Sequence, residues 1–388
     1  MENRENKQAV PTFLERKNKR QHPETVKNRF LGCLLGGAVG DAMGAPVEFL
    51  SRSEILRQFG DSGLTGYAEA YGGIGKITDD TQMTLFTAEG LLRAVVRERE
   101  RGIASFEGVT AHAYLRWLLT QGIQPSCNMD VNDDNCGWLF QHRELHSRRA
   151  PGNTCISALR KMKSLGEPAI NDSKGCGGVM RVAPVGLFGW SVRWRDNPQR
   201  TFKLAAELAA LTHAHPTGYL TAGVLAVIIQ ALIDGLSLTE GLGTAKTLLM
   251  SEPDHHETLQ ALELAEELAA TSLPNHEAIK RLGQGWIAEE ALAISIYCSL
   301  VAKTFKQGVL MSVNHDGDSD STGAITGNLL GAMLGVKAIP ENWLEPLELR
   351  ETITEIVGDL FTFTDCKIGD DSLDREIRQK IWNKYPGF

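Results

Sequence analysis

The sequence predicts an all-α protein, and three observations carry that reading. Apolar residues recur at helical spacing in segment after segment from residue 28 onward. Strand-like alternation is scarce, and the stretches between helices are rich in Gly, Asp, Asn and Pro. There is no alternating strand–helix rhythm of a parallel sheet and no fixed-period repeat of the solenoid kind.

Residues 1–27 read as a flexible basic arm. Through Arg29 the chain holds eight Lys/Arg against four Glu, with few apolar residues apart from Val10, Phe13, Leu14 and Val26. Such a segment cannot bury enough surface to order itself. The alternative is an arm that orders on a partner, with Phe13-Leu14 between basic residues as its anchor. One helical domain is expected over 28–388, without an internal linker. Its helices are expected at 28–45, 79–98, 109–120, 154–164, 202–211, 217–235, 240–250, 256–271, 287–304, 321–336 and 347–360.

Two of these helices carry a further pattern. Gly32, Gly36, Gly40 and Gly44 recur every four residues, as do Gly323, Gly327, Gly331 and Gly335. Residues at i, i+4 share a helix face, so each set is a ridge without side chains. An interior Gly costs about 1 kcal/mol against Ala, a cost that makes sense if another backbone must come very close. Asp41 and Asn328 argue against burial in lipid, so the two helices are expected to cross at short range in the core.

The composition narrows the function classes. Hydrophobic residues make up 42% and charged residues 23%, the balance of a globular chain. A formal net charge of −8 disfavours general nucleic-acid binding. No apolar run is expected to approach the length needed to span a bilayer, and the polar N-terminus lacks the stretch of a secretory signal, so a cytoplasmic location is expected. The cysteines at 33, 127, 136, 155, 176, 298 and 366 are scattered, which suggests reduced thiols rather than a disulfide framework. Cys127, Cys136, His142 and His146 carry the residue types of a zinc site, but Cys-x8-Cys is too wide for a usual knuckle.

The chemistry lies in two acidic clusters. Thr78-Asp79-Asp80-Thr81 opens one helix, with Thr78 as candidate N-cap. Asp316-Gly317-Asp318-Ser319-Asp320-Ser321-Thr322 runs into the second glycine ridge. Counted from Asp316, the sixth and twelfth positions are Ser321 and Gly327, which excludes a calcium EF-hand. Carboxylates crowded into one place repel unless a divalent cation neutralises them. Taken alone, acids at a helix start are also accounted for by capping and the helix dipole. Between the clusters, Gly175-Cys176-Gly177-Gly178 is a turn able to offer N–H groups to a diphosphate, with Lys174 or Arg181 nearby. His213 and His215 bracket a helix junction, where a structural histidine is the usual case and a ligand contact the alternative. Trp286 either stacks on a base or packs in the core, with the core slightly favoured.

Together these motifs resemble the ADP-ribosylglycohydrolase family. The resemblance covers about residues 28–340 and rests on Gly-Asp-Ala-x-Gly-Ala-x-x-Glu (Gly40 to Glu48), Thr-Asp-Asp-Thr (78–81), Gly-Cys-Gly-Gly-Val-Met-Arg (175–181), Thr212-His213, Gly-x-Gly-Trp-x-Ala-Glu-Glu-Ala-Leu (283–292) and Gly-Asp-Ser-Asp-Ser-Thr (317–322). It implies a compact all-α domain with a dinuclear cleft for two Mg²⁺ or Mn²⁺. The implied metal ligands are Thr78, Asp79, Asp80, Asp318, Asp320 and Ser321, and Glu48, Asp80 and Asp318 are the implied catalytic groups. Gly175, Cys176, Gly177, Gly178, His213, Trp286 and Ile287 would hold ADP-ribose. The implied reaction removes ADP-ribose from protein arginine, with serine-linked, nucleic-acid-linked or small-molecule conjugates as alternatives. Two departures stand out: Asp316 replaces a glycine, and the loop 149–154 carries no Asp. The N-terminal arm resembles that of immunity proteins in this family, which implies an ADP-ribosyltransferase toxin as a partner and blockade of its active site as the rival function.

Overall fold

The computed structural model describes residues 22–127, 136–362 and 375–387. The protein is 67% helical, and among the described residues there is no strand, only two isolated bridges, Ala70 with Gly73 and Gly175 with Ile287. The α-helices are α1 (Pro23–Gly44), α2 (Arg52–Phe59), α3 (Asp79–Arg101), α4 (Phe106–Thr120), α5 (Asn153–Lys161), α6 (Ala183–Ser191), α7 (Pro198–Ala210), α8 (Pro216–Ile233), α9 (Leu238–Leu249), α10 (His256–Ala269), α11 (Asn275–Leu282), α12 (Ala288–Val301), α13 (Phe305–Val313), α14 (Ser319–Leu334), α15 (Glu341–Leu344), α16 (Arg350–Thr362) and α17 (Arg375–Lys384).

Local signals account for where the elements differ from expectation. α1 begins at Pro23, inside the stretch assigned to the arm: His22 caps it through Nδ1, and Pro presets the first helical φ. The remainder of the arm, with Phe13-Leu14, lies outside the described residues. The helix expected at 287–304 stops at Val301, because Ala302 turns extended and Thr304 caps a separate helix, α13, through Oγ1 to the Gln307 N–H. The short α2 is absent from the expected helices, although Ser51 and Glu54 form a reciprocal capping box.

α8 corrects another expectation. Its 18 residues are long and apolar enough to cross a bilayer by length and composition, but 89% of the helix is buried within the protein. Apolar on all sides, it packs among its helical neighbours in the core. No disulfide forms among the described cysteines; Cys366 lies outside the described residues. No zinc set forms near Cys136 among the described residues: His142 packs edge-on against Trp138, and His146 Nε2 bonds the Phe140 carbonyl at 2.7 Å.

The two glycine ridges meet. α1 and α14 make the most extensive helix–helix contact in the protein, running antiparallel with backbone against backbone. A Cβ placed on Gly40 would stand 1.9 Å from the Gly323 carbonyl oxygen, and one on Gly327 2.0 Å from that of Gly36. One on Gly331 would stand 1.8 Å from the Gly32 oxygen. Asn328 fills the notch over Gly37 and donates to the Cys33 carbonyl at 2.8 Å, which satisfies a buried polar group inside the contact. Gly327→Ala should therefore lower unfolding stability by about 2 kcal/mol or more in urea titrations. Gly358→Ala in α16 is the counterpart, since its Cβ would meet nothing within 4 Å and should raise stability by up to about 1 kcal/mol.

Candidate active site

α1 is the element that brings the acidic clusters together. One residue past Gly40, the buried Asp41 carboxylate accepts from the Thr78 N–H (3.0 and 3.1 Å), the Thr81 N–H (3.1 Å) and the Thr81 hydroxyl. These donors sit at the head of α3, where N–H groups lack partners within the helix. Thr78 is the N-cap, its Oγ1 accepting from the Asp80 N–H at 3.3 Å. At the end of α1, a Cβ on Gly44 would stand 2.2 Å from the Ser319 carbonyl oxygen and 2.4 Å from the Asp320 nitrogen. The glycine contact thus ends against the head of α14, and the following turn carries Glu48. Asp318 caps α14, accepting from the Ser321 N–H at 3.2 Å.

Six carboxyl groups are buried here: Asp41, Glu48, Asp79, Asp80, Asp318 and Asp320. Burial, then the charge on Asp320, pushes Asp41 up to about 7. Burial, then Asp320, Asp318, Asp79 and Asp41, pushes Glu48 up to about 11. Asp79 and Asp80 are held well above the usual range by burial and then by Asp320. Asp320 is raised by burial and then by Asp318, and Asp318 by burial. Acids from the two ends of the domain therefore share one electrostatic site.

The donor set suits a hard divalent cation. Asp80 Oδ1 and Glu48 Oε2 are buried without a hydrogen-bond partner, an expensive state for a carboxylate lacking a counter-ion. The expected ligand set is all oxygen, from carboxylates and the Thr78 and Ser321 hydroxyls, as Mg²⁺ and Mn²⁺ prefer, although the Ser321 hydroxyl here faces the sulfurs of Cys176 (3.7 Å) and Met180 (3.8 Å). Among the described residues no three His, Cys, Asp or Glu side chains stand in a closed ligand set. Asp79 keeps one tie to the protein, Oδ2 accepting from the Gly152 N–H at 3.1 Å.

The glycine turn lies against this cluster. Cys176 donates its thiol to Asp318 Oδ2 at 2.8 Å, and its N–H bonds the Trp286 carbonyl at 3.2 Å. Ile287 pairs with Gly175 in the isolated bridge. His213 is buried beneath the turn, its Nδ1 against the Thr212 hydroxyl at 2.8 Å. Burial, then Arg181, pulls its imidazole down to about 3, so the ring is neutral. A Cβ on Gly177 would stand 2.9 Å from that ring and 2.8 Å from the Cys155 sulfur, so only glycine fits there.

Several sequence expectations are corrected by position. Arg181 is fully buried, bonded to the Leu208 carbonyl and Thr212 Oγ1 and stacked on Tyr114, so it is no anion ligand. Lys174 is engaged with Glu257 and Glu289. Trp286 is not in the core but exposed, stacked on Phe49. Asp316 adds nothing to the cluster's hydrogen bonding; its Oδ1 accepts from the Arg52 N–H at 2.8 Å and tethers α2. His215 caps α8 through Nδ1.

A profile of the ADP-ribosylglycohydrolase family matches residues 22–367. The chain belongs to this family. It is 28% identical over 330 residues to the ADP-ribosyl-[dinitrogen reductase] glycohydrolase of Rhodospirillum rubrum, covering 84% of this chain and 92% of that one. Against the ADP-ribosylarginine hydrolase Tri1 of Serratia proteamaculans, identity is 26%, covering 85% and 78%. A solved structure titled ADP-ribosylglycohydrolase-related protein complex superposes with a TM-score of 0.63 at 26% identity, covering 88% of this chain and 99% of that one. This glycohydrolase is thus a hydrolase of ADP-ribose conjugates, in a family whose members are generally Mg²⁺- or Mn²⁺-dependent.

Two residues of this glycohydrolase gain a role only from the fold. Asp41 lies inside the motif Gly40 to Glu48, yet in sequence it is one polar position in an apolar helix, and only its partners across α3 reveal what it does. His315 is buried between Thr322 Oγ1 (2.8 Å) and the Asp316 carbonyl (2.9 Å), where it holds the second acidic loop.

The raised carboxyl values make a signed prediction. These groups keep protons in the folded protein that the unfolded chain loses near pH 4. Their contribution to the stability of the metal-free protein is intact below that pH and lost as pH rises through the folded values, about 7 for Asp41. A divalent cation removes the repulsion, so its stabilising effect grows with pH. Saturating Mg²⁺ or Mn²⁺ should raise Tm by about 5 °C at pH 8 and by less than about 2 °C at pH 5.5; equal shifts would contradict the assignment.

Proposed function

We propose that this glycohydrolase cleaves the N-glycosidic bond between ADP-ribose and a protein arginine side chain, with two Mg²⁺ or Mn²⁺ held between its acidic clusters. The observation that carries this is the convergence of the clusters on α3 and α14 with two buried carboxylate oxygens lacking partners. The arginine linkage is supported by a relative whose name specifies it.

Thr78, Asp79 and Asp80 from the head of α3 and Asp318, Asp320 and Ser321 from the head of α14 are the ligands in this reading. Bound there, the ions supply positive charge that orients ribose hydroxyls and acidifies water. The chain's own groups do the rest. Glu48, with Oε2 unpartnered beside the cluster, holds or accepts the proton that moves during hydrolysis. Asp80 and Asp318 lie beside the developing positive charge of an oxocarbenium-like transition state. The turn Gly175 to Gly178 takes the diphosphate through the N–H groups of Gly177 and Gly178; the Gly175 and Cys176 N–H groups, bonded to Ser173 Oγ and the Trp286 carbonyl, hold the turn in place, and His213 acts from below by setting its shape. The thiol of Cys176 ties the turn to Asp318, so diphosphate binding and ligand placement are mechanically linked.

Asp80→Asn and Asp320→Asn should each cut Mg²⁺-dependent release of ADP-ribose from modified arginine by about 100-fold or more. Release measured by chromatography from arginine-, serine- and nucleic-acid-linked conjugates, with and without chelator, checks the linkage and the metal together. Undiminished release by either variant would refute the site, and release from serine or nucleic acid alone would refute the arginine linkage.

A further inference from the structure

Among the described residues ten large apolar side chains are exposed, and three of these are aromatic: Phe49 (69%), Tyr71 (42%) and Trp286 (38%). All three border the acidic cleft. Phe49 directly follows Glu48. Trp286 follows Gly285, whose Cβ would stand 3.4 Å from the Asp318 Cβ and 2.9 Å from Thr322 Cγ2. Phe49 and Trp286 stack on one another, ring centroids 5.8 Å apart and planes 19° from parallel.

Tyr71 completes the set from a third direction. It sits at φ +50°, a conformation that bulky residues rarely adopt, in a turn closed by reciprocal backbone bonds between Ala70 and Gly73 (3.0 and 3.1 Å). Strained backbone of this kind gathers at functional sites. Its ring already lies under a guanidinium, that of Arg149, 5.7 Å from the centroid. The same guanidinium donates to the Ile77 carbonyl at 2.7 Å, one residue before Thr78, which places the ring beside the head of α3.

The chemistry of this border selects its occupant. The faces of aromatic rings are electronegative, and here they stand beside carboxylates, one of which has an unpartnered oxygen. A diphosphate is repelled by such a surface, and a neutral base gains only stacking. A planar cation gains both stacking and charge. In an arginine-linked conjugate the guanidinium is attached to the ribose carbon being attacked, so it leaves from beside the acidic cluster. We infer that Phe49, Tyr71 and Trp286 form an aromatic mouth that receives the guanidinium of the modified arginine and so sets the preference for that leaving group. The inference rests on the arginine-linked reading of the site.

The test compares the full chain with Phe49→Leu, Tyr71→Leu and Trp286→Leu in Mg²⁺, with thermal melting as the folding control. The readouts are kcat and KM on arginine-linked ADP-ribose and the inhibition constant of free ADP-ribose, which lacks the guanidinium. Each leucine variant should raise KM about three- to thirtyfold, while in Phe49→Leu and Tyr71→Leu, which lie outside the expected ADP-ribose contacts, ADP-ribose inhibition changes by less than about twofold. Tyr71→Phe keeps the ring and should leave KM within about twofold of wild type. A parallel loss of ADP-ribose binding in Phe49→Leu or Tyr71→Leu would overturn the proposal in favour of a nucleoside platform, and unchanged KM in Phe49→Leu would overturn it outright. Wild-type protein that releases nothing from arginine conjugates would instead sink the proposed function, before any variant is compared.

Discussion

Where α1 crosses α14, backbone meets backbone with no side chains between, and the cleft is placed by that contact. Each interior glycine costs about 1 kcal/mol of helix propensity, and both helices carry such a ridge. What the chain gains is position. A slip of α14 by one residue would shift Asp318 and Asp320 by about 1.5 Å along the axis and swing them about 100° around it. The meshed carbonyls and the Asn328 side chain seated over Gly37 allow no such slip. Asp41 and Gly44 then extend the same helix to the heads of α3 and α14, so one packing contact sets both halves of the site.

The site works against its own electrostatics. Six buried carboxyl groups repel one another, and burial alone disfavours their charged forms. The heads of α3 and α14 both point into the cluster, yet two helix ends supply only about one positive charge in all. Backbone N–H groups take part of the load at Asp41, Asp79 and Asp318. The balance falls short, and the oxygens left over, on Asp80 and Glu48, are those with nothing bound to them in the protein. Divalent cations are the natural counter-charge, in keeping with the family to which the chain belongs.

Most of this is legible in the amino-acid sequence, for identifiable reasons. The glycine ridges show because small residues at a strict period of four line a single helix face, and a bare face implies a close neighbour. The cap at Thr78 shows because its signal is local. What stays hidden depends on partners distant in sequence. Asp41 is read only through its bonds to Thr78 and Thr81. Asp316 looks like another ligand in an acidic string until its bond to Arg52 is seen. Trp286 sits in a loop, where no periodicity distinguishes an exposed ring from a buried one. The break between α12 and α13 is masked because apolar spacing runs through a cap that overrides it. α8, apolar on every face, has the length of a membrane span that the sequence reading missed, and only its neighbours show it to be a core helix.

The most direct measurement is anomalous X-ray scattering from a crystal grown with Mn²⁺. If carboxylates from the two ends of the domain share a metal centre, the anomalous peaks will lie between the heads of α3 and α14, touched by Asp79, Asp80, Asp318 and Asp320. Manganese found only elsewhere, or an empty cleft at saturating Mn²⁺ near neutral pH, would contradict the account.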